Sequence, residues 1–159
     1  MEDDGKTKAD ETLIQLVTFS IGEEVFGVDI LAVQEIIRLL DITRVPRAPH
    51  FVEGVINLRG KVIPIVDLRK RFDLPEKNYD KSTRIIVINM ESITVGFVVD
   101  EVSEVLRIPA NMVDTPPGVV SGLDTDYIDG VGKLDDQLLI LLDLNRLLAN
   151  HEMEALAKV

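Results

Sequence analysis

The stretch GVINLRGKVIPIVDL, residues 54–68, returns in eroded form as GVGKLDDQLLILLDL at residues 130–144. Five of the fifteen columns are identical, and four more exchange Val or Ile for Leu, so the two stretches read as copies of one unit. The sharpest difference is Arg59 and Gly60 in the first copy against Asp135 and Asp136 in the second. The repeat extends upstream. Residues 13–37 align with residues 82–106 at an offset of 69, pairing Gly27 with Gly96, Val33 with Val102 and Glu35 with Glu104. The Gly-Val block then follows at an offset of 76, and the extra residues fall in the joining loop, 38–53 in one copy and 107–129 in the other. Both loops are rich in turn formers, Pro46 and Pro49 in the first, Pro116, Pro117, Gly118 and Gly122 in the second.

Within each copy the apolar runs are short, rich in Val and Ile, and interrupted every six to ten residues, which is the pattern of strands. The first copy predicts strands near 14–21 and 24–30, a one-turn kink, and strands near 33–40, 53–58 and 61–67. The second repeats them near 83–90, 93–99, 102–108, 128–134 and 137–143. Gly22 with Glu23, and Arg59 with Gly60, supply tight hairpin turns. Five short strands leave two exposed edges unless the sheet curls shut. The expected fold is therefore all-β with a C-terminal helix: two tandem five-stranded, SH3/OB-like β-barrels from an internal duplication, packed on a shared hydrophobic core. Runs such as residues 62–66 and 138–142 are apolar on both strand faces, so one face can fill a barrel while the other meets the sister barrel. Pro64 cannot donate to a ladder and is expected at an edge or bulge.

Asp67 and Asp143 end the last strand of each copy and stand where a helix N-cap is needed. The second helix, from residue 144 to the end, carries Leu144, Leu147, Leu148 and Leu156 roughly on one face and is expected to pack along a barrel. The polar, acidic residues 1–12 read as a disordered tail. The remainder, 13–159, reads as a single domain of two lobes, about 13–80 and 81–159 with the helix.

The chain has 159 residues, 46% of them hydrophobic, and no cysteine, which removes disulfides, thiolate catalysis and zinc–sulfur sites together. No apolar run approaches the roughly 20 residues that cross a bilayer, so a cytoplasmic protein without membrane insertion is expected. A net charge of −11 and only seven aromatic residues argue against nucleic acid. Charge is uneven, however: residues 38–72 hold eight Lys or Arg against three acids. This reads either as a solvated basic face or as a docking face for an acidic partner.

No catalytic constellation emerges. His50 and His151 have no partner at metal-ligand spacing, no serine sits in a nucleophile elbow, and no P-loop or dinucleotide fingerprint occurs, so no metal and no cofactor is expected. Asp67 and Asp143, related by the duplication, invite comparison with a dyad sharing one proton across a pseudo-symmetric interface. A hydrolase of that kind is the rival reading, although Asp-Leu before a helix is the setting of a cap. Arg59 is the residue that stands out, a cation on a two-residue turn.

FGVDILAVQEI (26–36), the run from Pro49 to Gly60 ending in NLRG, KVIPIVDLR (61–69) and VGFVVDEVSEVL (95–106) together resemble the CheW-like family of bacterial chemotaxis coupling proteins. The resemblance covers about residues 13–156. It implies two five-stranded barrels, with strands that the family can exchange between lobes, and an adaptor that is not an enzyme. Such a protein couples the cytoplasmic tips of transmembrane chemoreceptors to the histidine kinase CheA through the kinase's regulatory domain. It is a monomer when free and is recruited to receptor arrays at the inner face of the membrane. Carried over by motif, the resemblance assigns receptor binding to Val33, Glu35, Gly54, Arg59 and Val105. It assigns no kinase-binding residue.

Overall fold

Short apolar runs between turn formers produce strands throughout the computed structural model, which describes residues 12–90, 93–114, 127–134 and 136–148. The first copy forms β1 (Leu13–Ile21), β2 (Glu24–Asp29), a 3₁₀ turn at Ile30–Ala32, β3 (Val33–Arg38), β4 (Val52–Leu58), β5 (Lys61–Asp67) and the one-turn helix α1 (Leu68–Arg71). The second forms β6 (Arg84–Asn89), β7 (Thr94–Val99), β8 (Glu101–Pro109), a 3₁₀ turn at Ala110–Met112, β9 (Val113–Asp114), β10 (Ile128–Leu134), β11 (Gln137–Leu142) and α2 (Leu144–Leu147). The strands expected from the repeat are present within two residues at each end, and β9 is an addition to them. The acidic tail through residue 11, His151 and the expected helix beyond Leu148 lie outside the described residues.

The β4–β5 turn shows why the first copy holds Arg-Gly. Arg59 and Gly60 both take positive φ, 51° and 87°, and Leu58 pairs directly with Lys61 across the two-residue loop. That is the geometry whose twist matches a hairpin. The Gly60 amide donates to Asn57 Oδ1 at 2.8 Å and holds the turn.

The strands pair in an order that the linear repeat does not reveal. One sheet runs β8-β1-β2-β11-β10-β9 and the other β3-β6-β7-β5-β4. Each therefore draws on both copies. The hairpin β1–β2 sits in the sheet built mainly from the second copy, and its repeat equivalent β6–β7 sits in the other, parallel to β11 and β5 respectively. The ladder bulges recur as well, between Val52 and Gly54 and between Ile128 and Gly130.

The hydrogen-bonded ladders are open, which differs from the closed barrels expected. No ladder joins β3 to β4, or β8 to β9, among the described residues. The reason lies in the segments following β3 and β8. Each turns across the first strand of the next hairpin and pairs briefly, as the single bridge Thr43–Val55 and as the two-residue β9 against β10.

Three apolar clusters organise the interior. Ile56, Leu58, Ile63, Ile65, Ile85, Val87 and Val98 form one within the five-stranded sheet, and Leu16, Ile108, Leu139 and Leu141 one within the six-stranded sheet. The largest lies between the sheets and includes Phe19, Val66, Ile86, Phe97 and Leu142. The apolar character of both faces of β5 and β11 now has its explanation, since Ile63 and Ile65, and Leu139 and Leu141, face their own clusters while Val66 and Leu142 face the shared one. Burying such a side chain is worth about 1.5–3 kcal/mol. Phe19, Phe26, Phe72 and Tyr127 stack in sequence at centroid distances of 5.7, 5.6 and 5.6 Å, tying the end of α1 to the six-stranded sheet.

Pro64 lies in an interior strand, between β7 and β4, and not at a sheet edge. Its missing donor is tolerated because the parallel ladder to β7 begins only at Ile65. On the other side its partner Val55 spends its own amide and carbonyl on Thr43, at 2.8 and 2.9 Å.

Candidate functional site

Arg59 and Glu35 are brought together. The turn lifts Arg59 out to 67% side-chain exposure, and Glu35, on β3, accepts a charge-assisted hydrogen bond from its Nη2. β3 and β4 stand at opposite ends of the sheet, so the pair crosses the gap between the sheet's two outer strands. The Arg59 hydrogen bond, opposed by slight desolvation and aided by Coulomb attraction, holds the Glu35 carboxyl below the ordinary carboxylate range.

The other residues named by the resemblance occupy different settings. Val33 opens β3, half-buried against the cluster between the sheets. Gly54 is buried, with φ +146°, and a Cβ there would run into the Thr43 carbonyl, so it is the place where the segment after β3 crosses β4. Gly130 is its counterpart, with a Cβ facing Val113 and the Asp114 carbonyl. Close backbone approach thus accounts for the glycine that both copies share. Val105 is 51% exposed on β8, in the other sheet. The five residues are therefore distributed over both sheets, with Glu35 and Arg59 in direct contact and Gly54 beneath the surface.

The basic stretch 38–72 does not form one cationic face. Arg69 forks onto Asp100, Nε to Oδ1 at 2.9 Å and Nη2 to Oδ2 at 2.6 Å, while the Gly22 amide donates to the same Oδ2 at 2.8 Å. Lys70 Nζ lies 2.6 Å from Glu53 Oε1 and 3.5 Å from Glu76. Arg71 covers the Phe51 ring and donates to the Leu147 carbonyl at 2.7 Å. With Arg59 on Glu35 and Lys61 Nζ donating to Thr94 Oγ1 at 2.9 Å, five of the eight cations serve internal contacts. The Arg69–Asp100–Gly22 junction escaped the sequence reading because its members are brought together only by the strand exchange. Asp100 links β7 of one sheet to β8 of the other, and Gly22 is in the β1–β2 turn.

Asp67 and Asp143 do not share a site. Asp67 is buried and accepts from the Arg69 and Lys70 amides at 2.8 and 3.4 Å and from the Tyr79 hydroxyl at 2.8 Å. Burial raises its carboxyl above the ordinary value, the Tyr79 hydrogen bond opposes this, and Glu53 adds to it. Asp143 caps α2 through the Asn145 amide at 2.9 Å and meets Arg146 Nε at 3.1 Å. The two carboxylates have no hydrogen-bond or ion-pair partner in common, and each is occupied as a cap. His50 packs edge-on against Phe51. Among the described residues no group of three or more His, Cys, Asp or Glu could hold a metal ion, and no helix is long and apolar enough to cross a membrane.

Comparison with known proteins meets this geometry from outside. The family model described as CheW-like domain matches residues 15–152. The chemotaxis protein CheW of Klebsiella aerogenes is 42% identical over 149 residues, covering 94% of this chain and 87% of its own length. Its namesakes from Treponema pallidum and Thermotoga maritima are 37% and 38% identical, covering 91% and 90% of this chain and 88% and 93% of their own. Among solved structures, the scaffolding protein TtCheW from Thermoanaerobacter tengcongensis matches with a TM-score of 0.81 at 38% identity, over 89% of this chain and 91% of that one. Shared sequence over nearly the whole length and a shared arrangement of two sheets lead to one conclusion: this chain belongs to the CheW-like domain family.

Proposed function

We propose that this protein is a non-catalytic adaptor of bacterial chemotaxis, coupling chemoreceptors to the histidine kinase CheA and supporting receptor control of kinase activity. Family membership over nearly the whole chain carries the reading, and the occupation of Asp67 and Asp143 as helix caps supports it. In this reading a helical receptor tip docks across both sheets. Val33 and Val105 pack its apolar stripe, and the Glu35–Arg59 pair exchanges charge with it to set register. Gly54 acts from below, by letting the Thr43–Arg44 segment lie close. The kinase partner is the regulatory domain of CheA, and the free adaptor is a cytoplasmic monomer recruited to arrays at the inner face of the membrane. Residues 13–159 work as one domain. Each sheet is rolled into a barrel-like lobe, a reading supported by its private apolar cluster and, in the five-stranded sheet, by the Arg59–Glu35 contact between the two ends of the sheet.

Reconstitution tests this. Adding the purified protein to receptor-bearing membranes and CheA should raise receptor-dependent kinase phosphorylation severalfold. Arg59→His should weaken receptor binding with an unchanged circular dichroism spectrum. A kinase that responds to receptor equally well without the protein overturns the proposal.

A further inference from the structure

The internal repeat supplies its own control, through the positions that it makes equivalent. At the offset of 76, Glu53, Asp67 and Lys70 stand where Asp129, Asp143 and Arg146 stand in the second copy. Two acids and one cation thus recur around the start of each helix. In the second copy the cation joins both acids: Arg146 Nε donates to Asp143 Oδ2 at 3.1 Å, and its Nη2 donates to Asp129 Oδ1. In the first copy the cation is drawn elsewhere. Lys70 Nζ lies against Glu53 and Glu76, and Asp67 receives the neutral Tyr79 hydroxyl where its counterpart receives a guanidinium.

A cavity of about 450 Å³ opens at this first-copy cluster. Its walls come from separate elements: Arg44 from the segment that crosses β4, Glu53 from β4, Asp67 and Lys70 from the start of α1, and Tyr79 from the stretch leading to β6. Charge is sorted by depth. Asp67 is 6% exposed and the Glu53 side chain 13%, so the inner wall holds two carboxylates against the single Lys70 ammonium. Burial raises the Asp67 carboxyl and Glu53 adds to the rise, as expected where an acid lacks a counter-cation. The rim holds Arg44 and Lys77, both exposed, against Glu76. Asp80 lies 3.5 Å from Lys77, whereas Arg44 makes no hydrogen bond or ion pair among the described residues.

We propose that this cavity binds a small zwitterionic amino acid, its ammonium inward against Asp67 and Glu53 and its carboxylate outward on Arg44. The ammonium takes the place beside Asp67 that the Arg146 guanidinium takes beside Asp143. Both ends then make charge-assisted hydrogen bonds. A simple amine would leave Arg44 unmet, and a simple carboxylate would face the buried acids, so the sorted wall selects a molecule that carries both charges. The site uses none of Val33, Glu35, Gly54, Arg59 or Val105 and stands independently of the adaptor reading.

The test titrates the full-length protein, followed by amide NMR, with β-alanine, γ-aminobutyrate and ε-aminocaproate in turn, which space the two charges differently. Propylamine and propionate, the two half-molecules, form the other arms. At least one of the amino acids is expected to shift the amides of Asp67, Lys70 and Tyr79 saturably. It should also lower the Asp67 titration midpoint, because an added cation favours the charged carboxylate. Affinity should fall by roughly tenfold or more in Arg44→Ala, a surface change, and in Asp67→Asn, which retains a capping side chain and so the helix start. Equal binding of propylamine or propionate overturns the proposal. So does unchanged affinity in both variants, or the absence of a saturable shift with any of the amino acids.

Discussion

Single side chains decide how the site responds to charge and pH. Glu35 titrates below the ordinary carboxylate value because Arg59 donates to it. The pair is therefore intact above that value and is lost as pH falls through the lowered one. Arg59→Ala should return Glu35 toward the ordinary range, read by side-chain NMR titration, with little change in Tm, because Arg59 is mostly in water. Asp67 has the opposite sign. Its folded value is raised above its unfolded one, so its contribution to stability is greatest at low pH and is lost as pH rises through the raised value. Tyr79→Phe removes the hydroxyl that opposes that rise, so the Asp67 midpoint should move further up in the same kind of titration. Gly54 makes a separate point about backbone. A Cβ at φ +146° against the Thr43 carbonyl has nowhere to go, and Gly54→Ala should cost of order 1–3 kcal/mol in urea unfolding, displacing the crossing segment beside the Arg59 turn. Arg59 could be singled out as a cation on a turn where the repeat has an acid. Its bond to Glu35, 24 residues away, could not, because it depends on how the sheet's end strands approach each other.

At the scale of elements, the helix starts and the sheet-to-sheet crossings are held by specific polar contacts. Asp67 and Asp143 cap α1 and α2 by accepting amide hydrogen bonds, a role that Asp-Leu at the end of a strand announces in sequence. Asp143→Ala should therefore lower stability by about 1 kcal/mol, measured by the urea midpoint. The Arg69–Asp100–Gly22 junction joins α1, the β7–β8 crossing and the β1–β2 turn, with both charged side chains largely buried. Burial works to raise the Asp100 carboxyl, but the Arg69 guanidinium and the Gly22 amide outweigh it, and it titrates below the ordinary value. Arg69→Ala leaves that carboxylate without its forked partner and should cost about 2 kcal/mol or more. Amide exchange should then quicken first in the β1–β2 turn and at Asp100, where the two sheets are joined. Strand positions along the chain were legible because short Val- and Ile-rich runs and the turn residues between them are local features. The β9 pairing was not, since two residues carry too little pattern to announce a strand.

At the scale of the whole molecule, the two copies are interleaved across both sheets. β3, β4 and β5 need β6 and β7 between them to complete a sheet, and β1 and β2 need β11 on one side and β8 on the other. Residues 1–80 alone should therefore lack a cooperative thermal transition and dispersed amide signals, while the full chain unfolds in a single step. The sequence by itself determined the duplication, the order and length of the strands, the hairpin turns, the capped helix starts and the family, since all of these rest on neighbours in the chain or on motifs within it. Only the tertiary structure decided which copy each hairpin joins, that the ladders stay open where kinked segments cross β4 and β10, and that Pro64 sits inside a sheet. It also decided that five of the eight cations of the basic stretch are spent on internal contacts. The physical reason is common to all of these. Each depends on residues tens of positions apart competing for one surface, and a repeat written twice in one chain supplies two equally good partners for every hairpin, between which only packing of the shared core can choose.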